Sequence, residues 1–189
     1  MNQKRHMDLR VVKTRDAIKK TFKEMVVEME VSNITVKELA ERARIHRKTF
    51  YLHYTSLEAL FEDILLDAAN YYFEEIDKVP LPMSMLEVNR VFFKHLSKQD
   101  PFIEKLICSP GYRDFCNDLF RMNLKHNRDR YNPYSNFSKE CQNIINTFLV
   151  SSSLDMYRQW IRDGKKVPLE DIIELSGTLL TNGVSAILS

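Results

Sequence analysis

Apolar side chains recur along this chain at intervals of three and four residues, the spacing of helices with one buried face. Over about Lys13 to Met29, Ile18, Phe22, Met25, Val26 and Met29 form one such stripe. After a break at Val31-Ser32-Asn33, Thr35 and Glu38 make a capping-box pattern, in which each side chain satisfies the other's orphan amide. It opens a short helix whose inner face is Val36, Leu39, Ala40 and Ala43. Arg44-Ile45-His46 reads as a turn and Arg47 to His53 as a second short helix. Ser56 then caps a longer helix over about Leu57 to Ile76, with Leu60, Phe61, Ile64, Leu65 and Ala68 inward.

The second half of the chain is punctuated in the same way. Val79-Pro80-Leu81-Pro82 stops the preceding helix, because proline lacks an amide and restricts its predecessor. Ser84 and Glu87 repeat the capping box and start a helix reaching about Gln99. Pro101 opens a short helix that ends near Cys108-Ser109-Pro110-Gly111, and another follows from about Tyr112 to Arg130. Ser138 to Arg162 and Pro168 to the C-terminus are the two longest apolar helices, the first ended by Gly164 as its expected left-handed stop. About nine helices are expected, and sustained strand alternation is absent, so the fold class is all-α. No repeat of solenoid length is seen.

Composition narrows the class. Of 189 residues 44% are hydrophobic and 29% charged, with only 4 Gly and 6 Pro, which fits a chain with a packed core and excludes low-complexity classes. No apolar run is long enough for a bilayer, so no membrane association is expected. MNQKRHMDLR has charges with no apolar run after them, so no secretory signal is read and a cytoplasmic location is expected. Cys108, Cys116 and Cys141 fit neither a disulfide framework nor a metal knuckle and read as free thiols. His95 and His126 lack a carboxylate at ligand spacing, so neither a metal nor a cofactor is expected.

The net charge of +2 conceals an asymmetry. Residues 1–56 hold 13 Lys and Arg against 7 Asp and Glu, a net of +6, while the remainder holds 15 against 19, a net of −4. A basic head on an acidic body points to a polyanionic partner for the head. Residues 35–53 are a helix, a tight turn and a second helix, the unit that lays its second helix in a DNA major groove while the first crosses the backbone. Phe50 packs inward; the candidate DNA-contacting residues are Thr35, Lys37, His46, Arg47, Lys48, Thr49, Tyr51, His53 and Tyr54.

The pattern Thr35-x-x-Glu38-Leu39-Ala40-x-x-Ala43, followed by Thr49-Phe50-Tyr51-x-His53-Tyr54-x-Ser56-x-Glu58-x-Leu60, resembles the signature of the tetracycline-repressor-type (TetR/AcrR) family of regulators over about residues 14–61. Tyr157-x-x-Trp160-Ile161-x-x-Gly164 before Pro168 is similar to the dimerisation helices of one subgroup. The resemblance implies an all-helical two-fold dimer with a helix-turn-helix domain, residues 1–56, and a ligand-binding and dimerisation domain, residues 57–189. Three positions depart from the family pattern: Arg44 stands where Gly is usual in the turn, His46 where Ser is common, and Leu57 where a phosphate-anchoring Lys is usual. Atypical members, including a regulator of dihydroxyacetone kinase, resemble this recognition helix and activate transcription with other proteins.

A pocket between bundle helices is the usual place for a small-molecule site. Candidate ligand contacts are Phe92, His95, Leu96, Tyr112, Phe115, Phe148 and Tyr157. There is no Gly-rich phosphate loop, no HExxH, no GxSxG and no convincing carboxylate pair, so no catalytic residue is assigned and an enzyme is not expected. The expected function is a DNA-binding transcriptional regulator: a ligand-responsive repressor, homodimeric, whose recognition helices sit about 34–36 Å apart on a (pseudo)palindromic double-stranded operator. The alternative is an atypical member that co-activates through protein partners, with weak or no direct DNA binding.

Overall fold

A computed structural model of the protein describes residues 9–98 and 101–188, apart from the side chains at 110, 113–115 and 184–188. Among the described residues there are nine α-helices and no strand: α1 (Leu9–Glu28), α2 (Val36–Arg42), α3 (Arg47–His53), α4 (Leu57–Ile76), α5 (Met85–Ser97), α6 (Pro101–Cys108), α7 (Arg113–Arg130), α8 (Lys139–Arg162) and α9 (Leu169–Leu188). The chain divides into two compact units, residues 1–67 and 68–189, and α4 contributes to both.

In the first unit the helical stripe of α1 buries Ile18, Phe22, Met25 and Val26, while Met29 is only half-buried. Phe22 meets Phe61 of α4 edge-on at 5.8 Å between ring centres. Leu39 and Ala40 of α2, Phe50 of α3, and Leu60, Ile64 and Leu65 of α4 complete the core. The helix α1 already includes Leu9 to Val12, ahead of the expected Lys13, because these residues contain no breaker.

The second unit pairs α5 with α9 and α8 with α9, and packs α7 against α6 and α8. Ser84 and Glu87 form the expected capping box on α5, Ser84 Oγ accepting from the Glu87 amide at 3.1 Å and Glu87 accepting from the Ser84 amide at 2.8 Å. The box expected at Thr35 is half-formed. Thr35 Oγ1 accepts from the Glu38 amide at 3.1 Å, but the Glu38 carboxylate pairs with Arg42 one turn on, at 2.9 Å. Gly164 ends α8 at φ +72, its amide donating to Ile161 and the Lys165 amide to Trp160, each at 2.9 Å. No helix among the described residues is long and apolar enough to cross a membrane.

Candidate nucleic-acid interface and buried cavity

The turn between α2 and α3 is a left-handed helix stop. The Arg44 amide donates to Glu41 at 3.1 Å and the Ile45 amide to Ala40 at 2.9 Å, the two bonds that close a Schellman motif. This motif needs a residue in the left-handed region, and Arg44 occupies it at φ +55. A non-glycine residue there carries a steric cost, and the Arg44 side chain is exposed. Three residues later α3 begins, with His46 extended at its N-cap and making no side-chain cap bond.

Phe50 is fully buried and sets the rotation of α3, so Arg47, Lys48 and Tyr51 face outward together. Thr49 and His53 are half-buried on its flanks, and Lys37 is exposed on α2. Among the described residues, Lys37, Arg44, Arg47 and Lys48 make no ion pair, whereas Arg15, Lys19 and Arg42 of the same unit are each paired with a carboxylate. The helix-turn-helix therefore presents free positive charge, and the charges behind it serve the fold.

Tyr54 is buried away from that outward face, and Thr35 is exposed at the N-cap of α2. Thr35 is committed to the cap of α2. Tyr54 is 5% exposed; its hydroxyl donates to Asp63 at 2.7 Å, and Arg15 donates to the same phenol oxygen at 3.3 Å. Asp63 also accepts from Arg15 at 2.7 Å and pairs with Lys19 at 2.8 Å. Burial alone would raise the Asp63 pKa, but the bonds from Lys19, Arg15 and Tyr54 outweigh it and hold the carboxyl at about 2. This cluster pins the end of α3 to α1 and α4, so Tyr54 positions the recognition helix from behind.

Leu52, 82% exposed on α3, was not legible as a candidate because a leucine in an amphipathic pattern reads as core. Its signal is the two-residue offset from Phe50, which turns it about 200° around the helix and away from the core.

In the second unit a cavity of about 360 Å³ lies among α4, α5, α7, α8, α9 and the loop at 131–134. Among the described side chains, Phe92 alone of the expected ligand contacts lines it. His95 is buried between Tyr71 and Tyr72, its ring centre 5.3 and 5.6 Å from theirs, and burial lowers its pKa to about 4. Leu96 and Tyr112 are core, and Tyr157 is fully buried against Phe93 and Trp160 with its hydroxyl pKa raised, chiefly by burial. Phe148 is 45% exposed on α8, beside Gly183. Phe115 lies outside the described side chains.

The polar members of the cavity wall were missed: Asn89, Asn123, Asn127, Arg128, Asn146, Ser153 and Thr181 line it together with aromatic side chains. Their signal was asparagine on the apolar face of a helix, as at 123 and 127 one turn apart behind Phe120. Among the described residues no group of three or more His, Cys, Asp and Glu is placed to hold a metal ion.

A two-unit, all-helical chain with a basic helix-turn-helix in one unit and a cavity in the other has the architecture of a one-component transcriptional regulator. Residues 84–182, just over half of the chain, match the TetR-type family model described as the transcriptional regulator C-terminal region. The protein belongs to the TetR family of transcriptional regulators. A TetR transcriptional regulator from Streptococcus agalactiae is 25% identical, with a TM-score of 0.68 over 92% of this chain and 97% of that one. NalD of Pseudomonas aeruginosa, the secondary repressor of the MexAB-OprM multidrug efflux pump, shares the fold at 18% identity and a TM-score of 0.69 over 92% and 96% of the two chains. FadR of Bacillus subtilis, solved in complex with stearoyl-CoA, does so at 14% identity and 0.67 over 89% and 98%. The uncharacterised HTH-type transcriptional regulator YxbF of Bacillus subtilis is 33% identical over 64 residues, which span 33% of this chain and 17% of that relative.

Proposed function

We propose that the protein is a DNA-binding repressor that acts as a homodimer on a (pseudo)palindromic operator and is released by a small molecule seated in the cavity of its C-terminal unit. The observation that carries this reading is the outward face of α3, where Arg47 and Lys48 are exposed without ion pairs on a helix locked from behind by Phe50 and Tyr54. Arg47 is suited to bidentate contact with guanine, Lys48 and Lys37 to phosphates, and Leu52 to a thymine methyl group. The dimer is supported by an apolar stripe left open on the last two helices: Ile144 and Phe148 one turn apart on α8, and Leu175 and Leu179 one turn apart on α9. A second copy that lays the same pair of helices across these residues forms a four-helix interface. Binding of the effector and of the operator to different conformations makes the two antagonistic by linkage. The repressor named among the structural neighbours and the neighbour solved with stearoyl-CoA support repression and an effector on this fold.

A second reading, co-activation through a protein partner, is favoured by the exposed Tyr51–Leu52 pair on α3 and by Leu57 where a phosphate anchor is usual. Charge reversal separates the two. Arg47→Glu with Lys48→Glu is expected to weaken duplex DNA binding by about 100-fold or more at physiological salt while leaving the unfolding midpoint in place. Unchanged DNA affinity in this double variant would remove the DNA-binding reading and leave the partner reading standing.

A further inference from the structure

A side chain on left-handed backbone carries a steric cost, and such strain persists where the residue is needed for something else. Among the described residues two non-glycine residues hold a positive φ, Arg44 at +55 and Lys165 at +57. Lys165 uses its side chain within the protein: its ammonium pairs with Glu104 and stands 5.8 Å from the ring centre of Trp160. Arg44 has no such return. Its side chain is exposed and makes no ion pair or hydrogen bond among the described residues. Arg42, two residues earlier, pairs with both Glu28 and Glu38, so the intramolecular role open to a cation at this turn is already filled.

The place of Arg44 in the motif points to a partner outside the chain. In a helix-turn-helix the first helix crosses the phosphate backbone and the N-terminal residues of the second meet base edges, so the connecting turn passes over the rim of the groove. Ala43 and Ile45 are half-buried, and Arg44 between them is turned to solvent. The backbone bonds from Arg44 to Glu41 and from Ile45 to Ala40 hold that turn in one conformation. A guanidinium offers a planar fork of donors that matches two oxygens of a phosphate. With Lys37 on α2 and Lys48 on α3, both exposed and without an ion pair among the described residues, each part of the motif then carries a cation for the backbone. We infer that Arg44 is a DNA-phosphate contact, presented by the strained turn at the groove rim and indifferent to base sequence. This assignment rests on the DNA-binding reading of α3.

The test titrates the full chain with two duplexes, the tightest binder recovered from a random-sequence pool and its scrambled sequence, between about 50 and 200 mM salt. Arg44→Ala keeps a side chain on the left-handed turn, and Arg44→Gly relieves it. Both are expected to weaken binding to both duplexes by about fivefold to tenfold and to lower the slope of log affinity against log salt by about one per bound chain. Arg44→Lys is expected to keep the slope. Arg44→Gly is expected to lose affinity while its urea midpoint rises, which separates a lost contact from a lost fold. Native affinity and slope in Arg44→Ala would overturn the phosphate contact, and a loss confined to Arg44→Gly would overturn it in favour of the turn's conformation. A loss confined to the selected duplex would overturn it by making Arg44 a reader of bases. Failure of the unsubstituted chain to bind either duplex would overturn the DNA-binding reading itself, whereas unchanged variants of a chain that binds would overturn the role of Arg44 alone.

Discussion

Among the described residues, two left-handed helix stops make a matched pair, because one is opened by arginine and the other by glycine. Arg44 sits at φ +55 between α2 and α3, and Gly164 at φ +72 after α8. Both close the same pair of backbone bonds. A side chain in that region costs about 1–2 kcal/mol, whereas glycine costs about 0.5–1 kcal/mol through the freedom it regains on unfolding. Arg44→Gly should therefore stabilise the protein by about 1 kcal/mol, since the exposed guanidinium makes no ion pair among the described residues that would be lost. Gly164→Ala should destabilise by about 1 kcal/mol, and from the backbone alone, because a Cβ at 164 meets nothing within 4 Å. Urea unfolding followed by circular dichroism reads both as midpoint shifts of opposite sign at unchanged slope. In a thermal scan each amounts to about 2–4 °C. A destabilised Arg44→Gly variant would instead mean that the arginine side chain stabilises the turn by more than its backbone conformation costs.

Three further outcomes follow from the electrostatics and the open faces. Asp63, held at about 2 against an ordinary 3.8, stabilises the fold above pH 3.8 and loses that contribution as the pH falls toward 2; Asp63→Asn should flatten this acid limb, worth about 1–2 kcal/mol after solvent screening, in urea midpoints measured from pH 6 to about 2. His95, held near 4 by burial against an ordinary 6.5, stays neutral in the folded protein while the unfolded chain takes up the proton; stability therefore declines between pH 6.5 and 4, by up to about 3 kcal/mol, and His95→Leu should remove that decline. The proposed homodimer predicts that light scattering gives twice the chain mass and that Phe148→Glu with Leu179→Glu halves it; a monomer mass without the substitutions, or a dimer mass with them, would contradict an interface on these faces.

Helix type and order were legible because each segment carries its own period, cap and stop: Ser84 with Glu87, Ser138 before α8, and Gly164 after it all do locally what their residue types favour. Thr35 shows where local reading ends. Its partner Glu38 had a second option, Arg42, which a capping pattern does not weigh. Tyr54 was read as an interface residue because its place in the motif is adjacent to the recognition helix; only the distant Asp63 and Arg15 turn it inward. The cavity was least legible. Large apolar residues are the expected wall, but Tyr112, Tyr157 and Leu96 fill the core. Asparagines that a sequence pattern treats as faults in an apolar face share the wall with aromatic side chains, and their convergence from α5 and α7 depends on tertiary packing.

Operator recognition is tested by selection of bound fragments from a genomic DNA pool at physiological salt. A homodimeric regulator that docks α3 in the major groove should recover a (pseudo)palindrome whose half-sites are about one helical turn or a small multiple of it apart, bound through the face of Arg47 and Lys48. Recovery of only weak, salt-sensitive fragments without a common sequence would contradict it, since that is what phosphate contact alone produces.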